Sequence, residues 1–558
     1  MKNNMRFRKL FFYSSILFAF LFSNSCYAQP FNWVNRIGGL GPEKGGQSCV
    51  DLSGNIYIAF SGGGPEVIFN SDTAAVSGIN DLFIVKYDAN GNEVWKLQFG
   101  GANTSWMPFS PEGFESIIFD SSSNSLLLSG GYYQSCIIDT ISLVSPISNQ
   151  ITGFIAKLNL NGQCIWARNF GGAGIGTVIP QIDNDDKGSF YTFFGVEYSG
   201  ILDSIPVTPG GYFGKINSNG EIHFIKKICR NHVIYNVPVF TQVTLEVANN
   251  MVYMHGSSYD SLTLDTILLP NSNNFSLVIS VWDTSGAIQW AKQSENSQTG
   301  FGTMCADRKG NIYIMDRFAG PFATLGVDTV FTNGSYGSFL MKFDKTGNLL
   351  WHKTYSNGLW ASYGSTVDME EKVYFTGVFW DSLIIDNFSL YSSSSNEELY
   401  IAHFDSNGTC IGVRQATGAT GINIIEHSNG QLYLSGMFNS TGTFGNISIP
   451  SYGSSDMFLA NLSAITGSGG NERAINNQLI IYANPNKGSF RIKLPDALTD
   501  LTGALLTVYD VQGKEVARFN LEQTSDHPLL EINNAISGFY TVRLVKGKQV
   551  FNGKLVVE

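Results

Sequence analysis

The residues with the chemistry for catalysis are few, and their spacing forms no constellation. The seven histidines are His223, His232, His255, His352, His403, His427 and His527, and they are scattered. General acid–base work needs a titratable side chain beside a group that tunes it. Neither a G-x-S-x-G nucleophile elbow nor an H-E-x-x-H zinc motif occurs. The acidic pairs Asp185–Asp186 and Glu370–Glu371 sit in turn-like segments, where solvated charge is the plain reading. No catalytic residue, cofactor-binding residue or metal ligand is assigned. Side chains from distant repeats could still meet in a ring, so an enzyme reading stays open as the alternative.

Other segments mimic ligand loops. DLSGN at Asp51, DANGN at Asp88 and DKTGN at Asp344 resemble pieces of calcium loops. They lack the bidentate Glu at the twelfth position and recur at fixed intervals, so they read as hairpin turns. GGAGIG, Gly171 to Gly176, lacks the Lys-Ser/Thr of a phosphate loop and reads as a turn. Seven Asp-Ser/Thr-apolar tripeptides begin at Asp72, Asp139, Asp203, Asp260, Asp265, Asp328 and Asp381. They resemble the O-glycosylation sequon of exported Bacteroidota proteins, though both residue types also favour turns.

These residues sit in a repeat. DLFIVKYDANGNEVW ends at Trp95, and related segments end at Trp166, Phe224, Trp290, Trp351 and Gly412, at steps of 71, 58, 66, 61 and 61 residues. Trp33 precedes Trp95 by 62, so five of the nine tryptophans fill one slot. Ahead of each lies an apolar run, a Gly/Asn/Asp turn and an alternating run centred on Tyr57, Leu127, Tyr191, Tyr253, Tyr313, Tyr374 or Tyr433. That is a hairpin pattern, with Gly and Asn supplying the positive φ of the turn. Each repeat thus offers four strands. The seventh lacks its Trp strand, which FNWVNRIGG at the front can supply, closing a ring and removing its edges. The repeats resemble the bacterial β-propeller units called SBBP repeats, with consensus vDssGNiYitG, FvaKyd and Gn..W. That resemblance implies a propeller fold over 29–463 and no particular activity.

Composition shifts after Leu462. Residues 464–478 are polar and Gly-rich, a linker. Residues 479–558 carry six or seven short strands, enough for a small Ig-like β-sandwich. Within them stand Tyr482, Asn484, Pro485, Gly488 and Phe490, then Val508, Tyr509, Asp510, Gly513, Lys514 and Val516, then Gly538, Tyr540, Val542, Leu544 and Lys554. This pattern resembles the type A C-terminal sorting domain of the type IX secretion system, with Ala483 where Pro is usual. The resemblance implies recognition by the type IX outer-membrane translocon and sortase machinery.

The front of the chain agrees. Lys2, Arg6, Arg8 and Lys9 precede an apolar run, Leu10 to Phe22, too short to span a bilayer, and Ala28 marks a cleavage point. Residues 1–28 therefore read as a secretory signal. Its loss takes the net charge from -11 to about -15, which argues against a nucleic-acid partner. No later stretch is a transmembrane helix. Four of the six remaining cysteines share equivalent slots in separated repeats, Cys49 with Cys305 and Cys164 with Cys410, which favours buried thiols over disulfides.

The expectation is an all-β chain: a seven-bladed β-propeller closed by its N-terminal strand, followed by a small Ig-like sandwich. It is secreted or held at the outer cell surface, via the periplasm. Its function is non-enzymatic binding or adhesion to a glycan or protein. The alternative is a polysaccharide-active hydrolase or lyase with its site in the channel.

Overall fold

The structure, a computed structural model, describes residues 31–462 and 480–557 apart from short internal segments, the longer ones being 106–115, 147–151, 171–176, 232–239, 494–502 and 522–528. All regular structure among the described residues is β. Ala28, the Gly171–Gly176 loop, His232, His527, Asn484, Pro485 and Gly513 lie outside the described residues.

The repeats fold into seven antiparallel four-stranded sheets. Sheet 1 runs Glu43–Val50, Ile56–Gly63, Gly78–Tyr87, Glu93–Phe99. Sheets 2 to 5 repeat this order from Ile117–Asp120, Thr177–Asn184, Phe240–Ala248 and Gln298–Ala306. Sheet 6 begins at Leu359–Val367 and ends on the first part of Cys410–Glu426, whose second part opens sheet 7. Sheet 7 continues through Leu432–Phe444 and Asp456–Leu462, and its fourth strand is Phe31–Gly39 from the other end of the chain. Val34 faces Ala460 and Ile37 faces Met457 in that pairing. The second and third strands are buried on both faces, which is why they read as unbroken apolar runs. The fourth alternates buried and exposed residues, as an outer strand should.

The cores lie between sheets. Seven hydrophobic clusters each join two consecutive sheets, and the one holding Ile37, Ile58, Tyr433 and Met457 joins sheet 7 to sheet 1. The first strands pack side by side in the same order, and Cys410–Glu426 lies against Glu43–Val50. The architecture is propeller-like.

Each sheet also carries a short hairpin between its second and third strands, such as Ser135–Ile138 with Ile141–Val144. The four-strand reading of the repeat omitted it. Asp-Thr or Asp-Ser makes its turn in sheets 2, 3 and 4, whereas Asp260 and Asp381 stand just ahead of a hairpin. Asp139, Asp203 and Asp265 hold φ of 54°, 45° and 54° in two-residue turns, a geometry Asp tolerates.

The C-terminal unit is separate in its core. Ile480–Tyr482, Ser489–Lys493 and Leu529–Glu531 form one sheet. Ala504–Tyr509, Glu515–Leu521, Gly538–Lys546 and Gln549–Val557 form another. Phe490, Leu506, Val508, Val542, Leu544 and Leu555 are buried together with residues of both sheets. Gly538 opens a strand opposite Val557 instead of making the turn read from the sequence, because the chain reverses earlier, ahead of Gly538.

Candidate functional sites

One row of side chains crosses every sheet of the ring at the same register. In sheet 1 it is Cys49, Tyr57, Lys86, Trp95. In sheet 5 it is Cys305, Tyr313, Lys342, Trp351. The indole at the end of the row reaches the next sheet. Trp95 Nε1–H donates to the Leu160 carbonyl at 3.0 Å, Trp166 to Ser218 at 3.1 Å, Trp290 to Lys345 at 3.0 Å and Trp351 to Ser406 at 3.3 Å. The lysine of the row aims at the same carbonyl: Lys86 reaches Leu160 at 3.2 Å and Lys342 reaches Ser406 at 3.1 Å. Both ammonium groups also lie over the row's tyrosine ring, at 5.2 Å from Tyr57 and 4.7 Å from Tyr313. The repeat's Lys and Trp are therefore the joints between sheets. The row varies elsewhere: Leu127 replaces Tyr in sheet 2, Phe224 replaces Trp in sheet 3 and Asn461 replaces Lys in sheet 7. Val281 replaces Lys in sheet 4, and His403 replaces it in sheet 6, stacked 4.2 Å from Tyr374.

The calcium-like segments are turns. Asp51 Oδ1 accepts the Ser53 and Asn55 N–H groups at 2.9 Å, and its Oδ2 accepts Asn55 Nδ2 at 2.8 Å and the Tyr57 hydroxyl at 2.9 Å. Asp307 repeats this with Lys309, Asn311 and Tyr313. Asp88 and Asp344 fill their oxygens in the same way. Against burial that raises it, hydrogen bonds from Thr346 and Asn348 bring Asp344 down to about 2. Both oxygens of each carboxylate are occupied by the turn it closes.

The first strand of each sheet has a free inner edge, and side chains of neighbouring sheets cap it. Val247 N–H donates to Asp183 Oδ2 at 2.6 Å, Asn184 Nδ2 to the Phe119 carbonyl at 3.1 Å, and Asn423 Nδ2 to the Ser48 carbonyl at 2.9 Å. Glu246 accepts the Ala306 N–H. Burial first, and the Asp183 carboxylate second, hold Glu246 well above the carboxylate range. Asp183 and Glu246 thus form a pair on adjacent inner strands that sequence spacing had not joined, since 63 positions separate them. The histidines do not converge. His255 lies between the Thr244 hydroxyl at 3.3 Å and Asp316 at 3.5 Å, sealed inside the protein, whereas His223 and His352 are exposed on outer strands. Among the described residues no three His, Cys, Asp or Glu side chains gather as a metal site. The six cysteines are free thiols, five of them buried. Burial pushes the Cys136 thiol up to about 12 and Cys164 to about 11.

In the C-terminal unit the sorting residues shape the fold. Tyr482 faces Arg491 across the first pair of strands, and Phe490 is buried opposite Leu530. Gly488 holds a φ of 96°, and a Cβ there would meet Ala535 at 3.0 Å. Asp510 and Lys514 close one turn: each N–H finds an acceptor on the other residue at 3.0 Å. Tyr509 lies opposite Thr541, Lys554 lies opposite the same Thr541 from the far side, and Gly538 starts that strand. The buried Tyr540 hydroxyl donates to the Ile536 carbonyl at 2.6 Å, a tyrosine tying down its own approach loop. Asn486 was not singled out in the sequence. Its N–H and Nδ2 both donate to the Val556 carbonyl, at 3.0 and 3.2 Å, and its Oδ1 accepts the Gly488 N–H at 2.7 Å. An Asn two residues before a turn glycine was the available signal.

No curated protein sequence matches the chain. Among solved structures it is similar to the polysaccharide lyase Uly1, with 7% identity over 75% of this chain and 90% of that one and a TM-score of 0.41. It is also similar to the Dos1 propeller, with 9% identity over 76% and 95% and a TM-score of 0.34. A member of the DUF4221 family from Bacteroides vulgatus shares 12% identity over 62% and 93%, with a TM-score of 0.29. No described helix is long and apolar enough to cross a membrane. Residues 480–558 match the family described as the secretion system C-terminal sorting domain, and with this type IX tail the chain is a substrate for export to the cell surface or the medium.

Proposed function

We propose that the chain is a seven-bladed β-propeller of SBBP type, delivered by the type IX route from a cleaved signal at Ala28, and that it binds a glycan or protein without chemistry. The tail is read as an Ig-like sandwich, a reading favoured by the Tyr540 hydroxyl bonded to the Ile536 carbonyl. One observation supports the binding reading most. Of the side chains that recur with the repeat, Lys and Trp are used in joining blade to blade and Asp and Tyr in closing the hairpin turns. What varies from repeat to repeat is the connections, and in a rigid frame those serve recognition. The translocon and the sortase machinery are the partners of the tail.

Asp183 and Glu246 favour the alternative, a polysaccharide-active hydrolase or lyase. Two carboxyl groups on adjacent inner strands, one shifted upward by burial and by its neighbour's charge, are the equipment of general acid–base chemistry. One experiment separates the two readings. The secreted chain is incubated with immobilised glycans and surface proteins, and soluble polysaccharide is followed for new reducing ends and unsaturated uronate absorbance. Retention without product is expected. Product formation that disappears in Glu246→Gln would replace binding with catalysis.

A further inference from the structure

The row of joining side chains fails at the junction of sheets 4 and 5. In sheets 1, 3 and 5 a lysine crosses from the third strand, lies over the row's tyrosine and reaches the next sheet's turn carbonyl. Here the row reads Glu246, Tyr253, Val281, Trp290. Val281 supplies no ammonium. The preceding turn is also shorter, with Ala248 paired to Met251 and Asn249 and Asn250 at φ of 55° and 60°, so no aspartate stands where Asp51 or Asp307 meets its tyrosine. Two consequences follow. The Tyr253 hydroxyl is buried with no hydrogen-bond partner, whereas Tyr57 and Tyr313 donate to their aspartates. The Lys345 carbonyl takes only the Trp290 indole and lacks the lysine donor that its counterparts at Leu160 and Ser406 receive.

At this junction lies a cleft of about 540 Å³, with Tyr253 among its lining residues. Trp290 and Met251 give it an apolar wall, and Gln289, Lys309 and Lys345 give it polar groups. Lys309 is neutralised by Glu371 of the next sheet at 2.7 Å. Lys345 is exposed and makes no ion pair with a described residue, and its backbone carbonyl accepts the Trp290 indole N–H, which sets this lysine at the same cleft as the indole. The volume fits a small organic ligand and is too large for a bare inorganic anion to fill. An aromatic wall suits the C–H face of a sugar ring, the amide of Gln289 suits hydroxyl groups, and a free ammonium suits a carboxylate.

We propose that this cleft binds an acidic saccharide, a uronate unit whose ring lies along Trp290 and whose carboxylate meets Lys345. The proposal rests on the binding-module reading and names its ligand class and place.

The test uses the full chain and calorimetric titration with tetragalacturonate, with cellotetraose and sodium sulfate as counterparts. Tetragalacturonate is expected to bind, and cellotetraose at least about tenfold more weakly, the discrimination a charge-assisted bond gives. Lys345→Glu, at an exposed position, should weaken tetragalacturonate at least about tenfold with an unchanged Tm. Val281→Lys should restore the row's lysine, fill the cleft and abolish binding. Equal affinity for cellotetraose, full competition by sulfate at equal concentration, or unchanged binding by Lys345→Glu overturns the proposal. If tetragalacturonate fails to bind but another glycan or protein retains wild type and Val281→Lys alike, the cleft assignment falls while the binding-module reading stands. If nothing retains the chain, both fall.

Discussion

Glu43 shows how a single carboxyl can set the pH response of the ring. It is fully buried where the first strand of sheet 1 meets the closing strand, and its Oε2 accepts the Gly39 N–H at 3.1 Å. Burial, then the Asp456 carboxylate, push it from its ordinary 4.5 up to about 9. Between those values the folded chain keeps a proton that the unfolded chain releases, so this group's contribution is present at low pH and is lost as pH rises towards 9. Buried His403 acts in the other direction: burial lowers it to about 4, so its contribution is present above its ordinary 6.5 and is lost as pH falls. Glu43→Gln keeps an acceptor for Gly39 and removes the titration. It should match wild type near pH 5 and exceed it by on the order of 3 kcal/mol near pH 8. Urea unfolding at the two pH values checks this, and parallel losses in both proteins would refute the assignment. The same scale explains the limits of reading chemistry from spacing. The Asp-x-x-Gly-Asn turns were legible because the hydrogen bonds that close them lie within six residues. Asp183 and Glu246 were not, because only the side-by-side packing of successive sheets brings them together.

At the scale of elements, the repeat was legible as strands because its apolar runs, turns and tryptophans recur in register. The reason for its consensus was not. The Gly of each outer turn holds a positive φ and lies beneath the indole or ring of the preceding sheet. At Gly408 the φ is 79° and a Cβ would stand 2.7 Å from the Trp351 ring. Gly408→Ala should therefore cost about 2 kcal/mol through backbone strain and the displaced indole, read as a lower thermal midpoint. An unchanged midpoint would mean that the indole packing is slack. In the sorting unit, Asn486→Ala should cost about 2 kcal/mol, because the Gly488 N–H then loses its acceptor inside the protein. Limited proteolysis of the tail would show it as faster cleavage, with no change if the turn holds without the side chain. The hairpins carrying the Asp-Ser/Thr tripeptides were passed over for a physical reason. Their strands are only three or four residues long, too short for alternation to stand out from a loop.

At the scale of the whole molecule, the chain is a propeller-like succession of sheets, the last of which takes a strand from the front end, followed by a C-terminal unit with its own core. The closing strand was legible from one tryptophan, Trp33, standing a repeat's length ahead of the next. The address was legible because several of its motif residues, Gly488, Phe490, Asp510 and Tyr540 among them, also shape the tail. The task performed outside the cell is less legible, since the chemically capable side chains of the repeat are occupied at the joints. Export is thus the claim on which the rest stands. Its most direct measurement deletes 480–558 and follows the remaining chain by cell fractionation. The truncated protein should accumulate in the periplasm while the full chain reaches the surface or medium. Arrival of the truncated protein at the cell surface in wild-type amount would contradict the account.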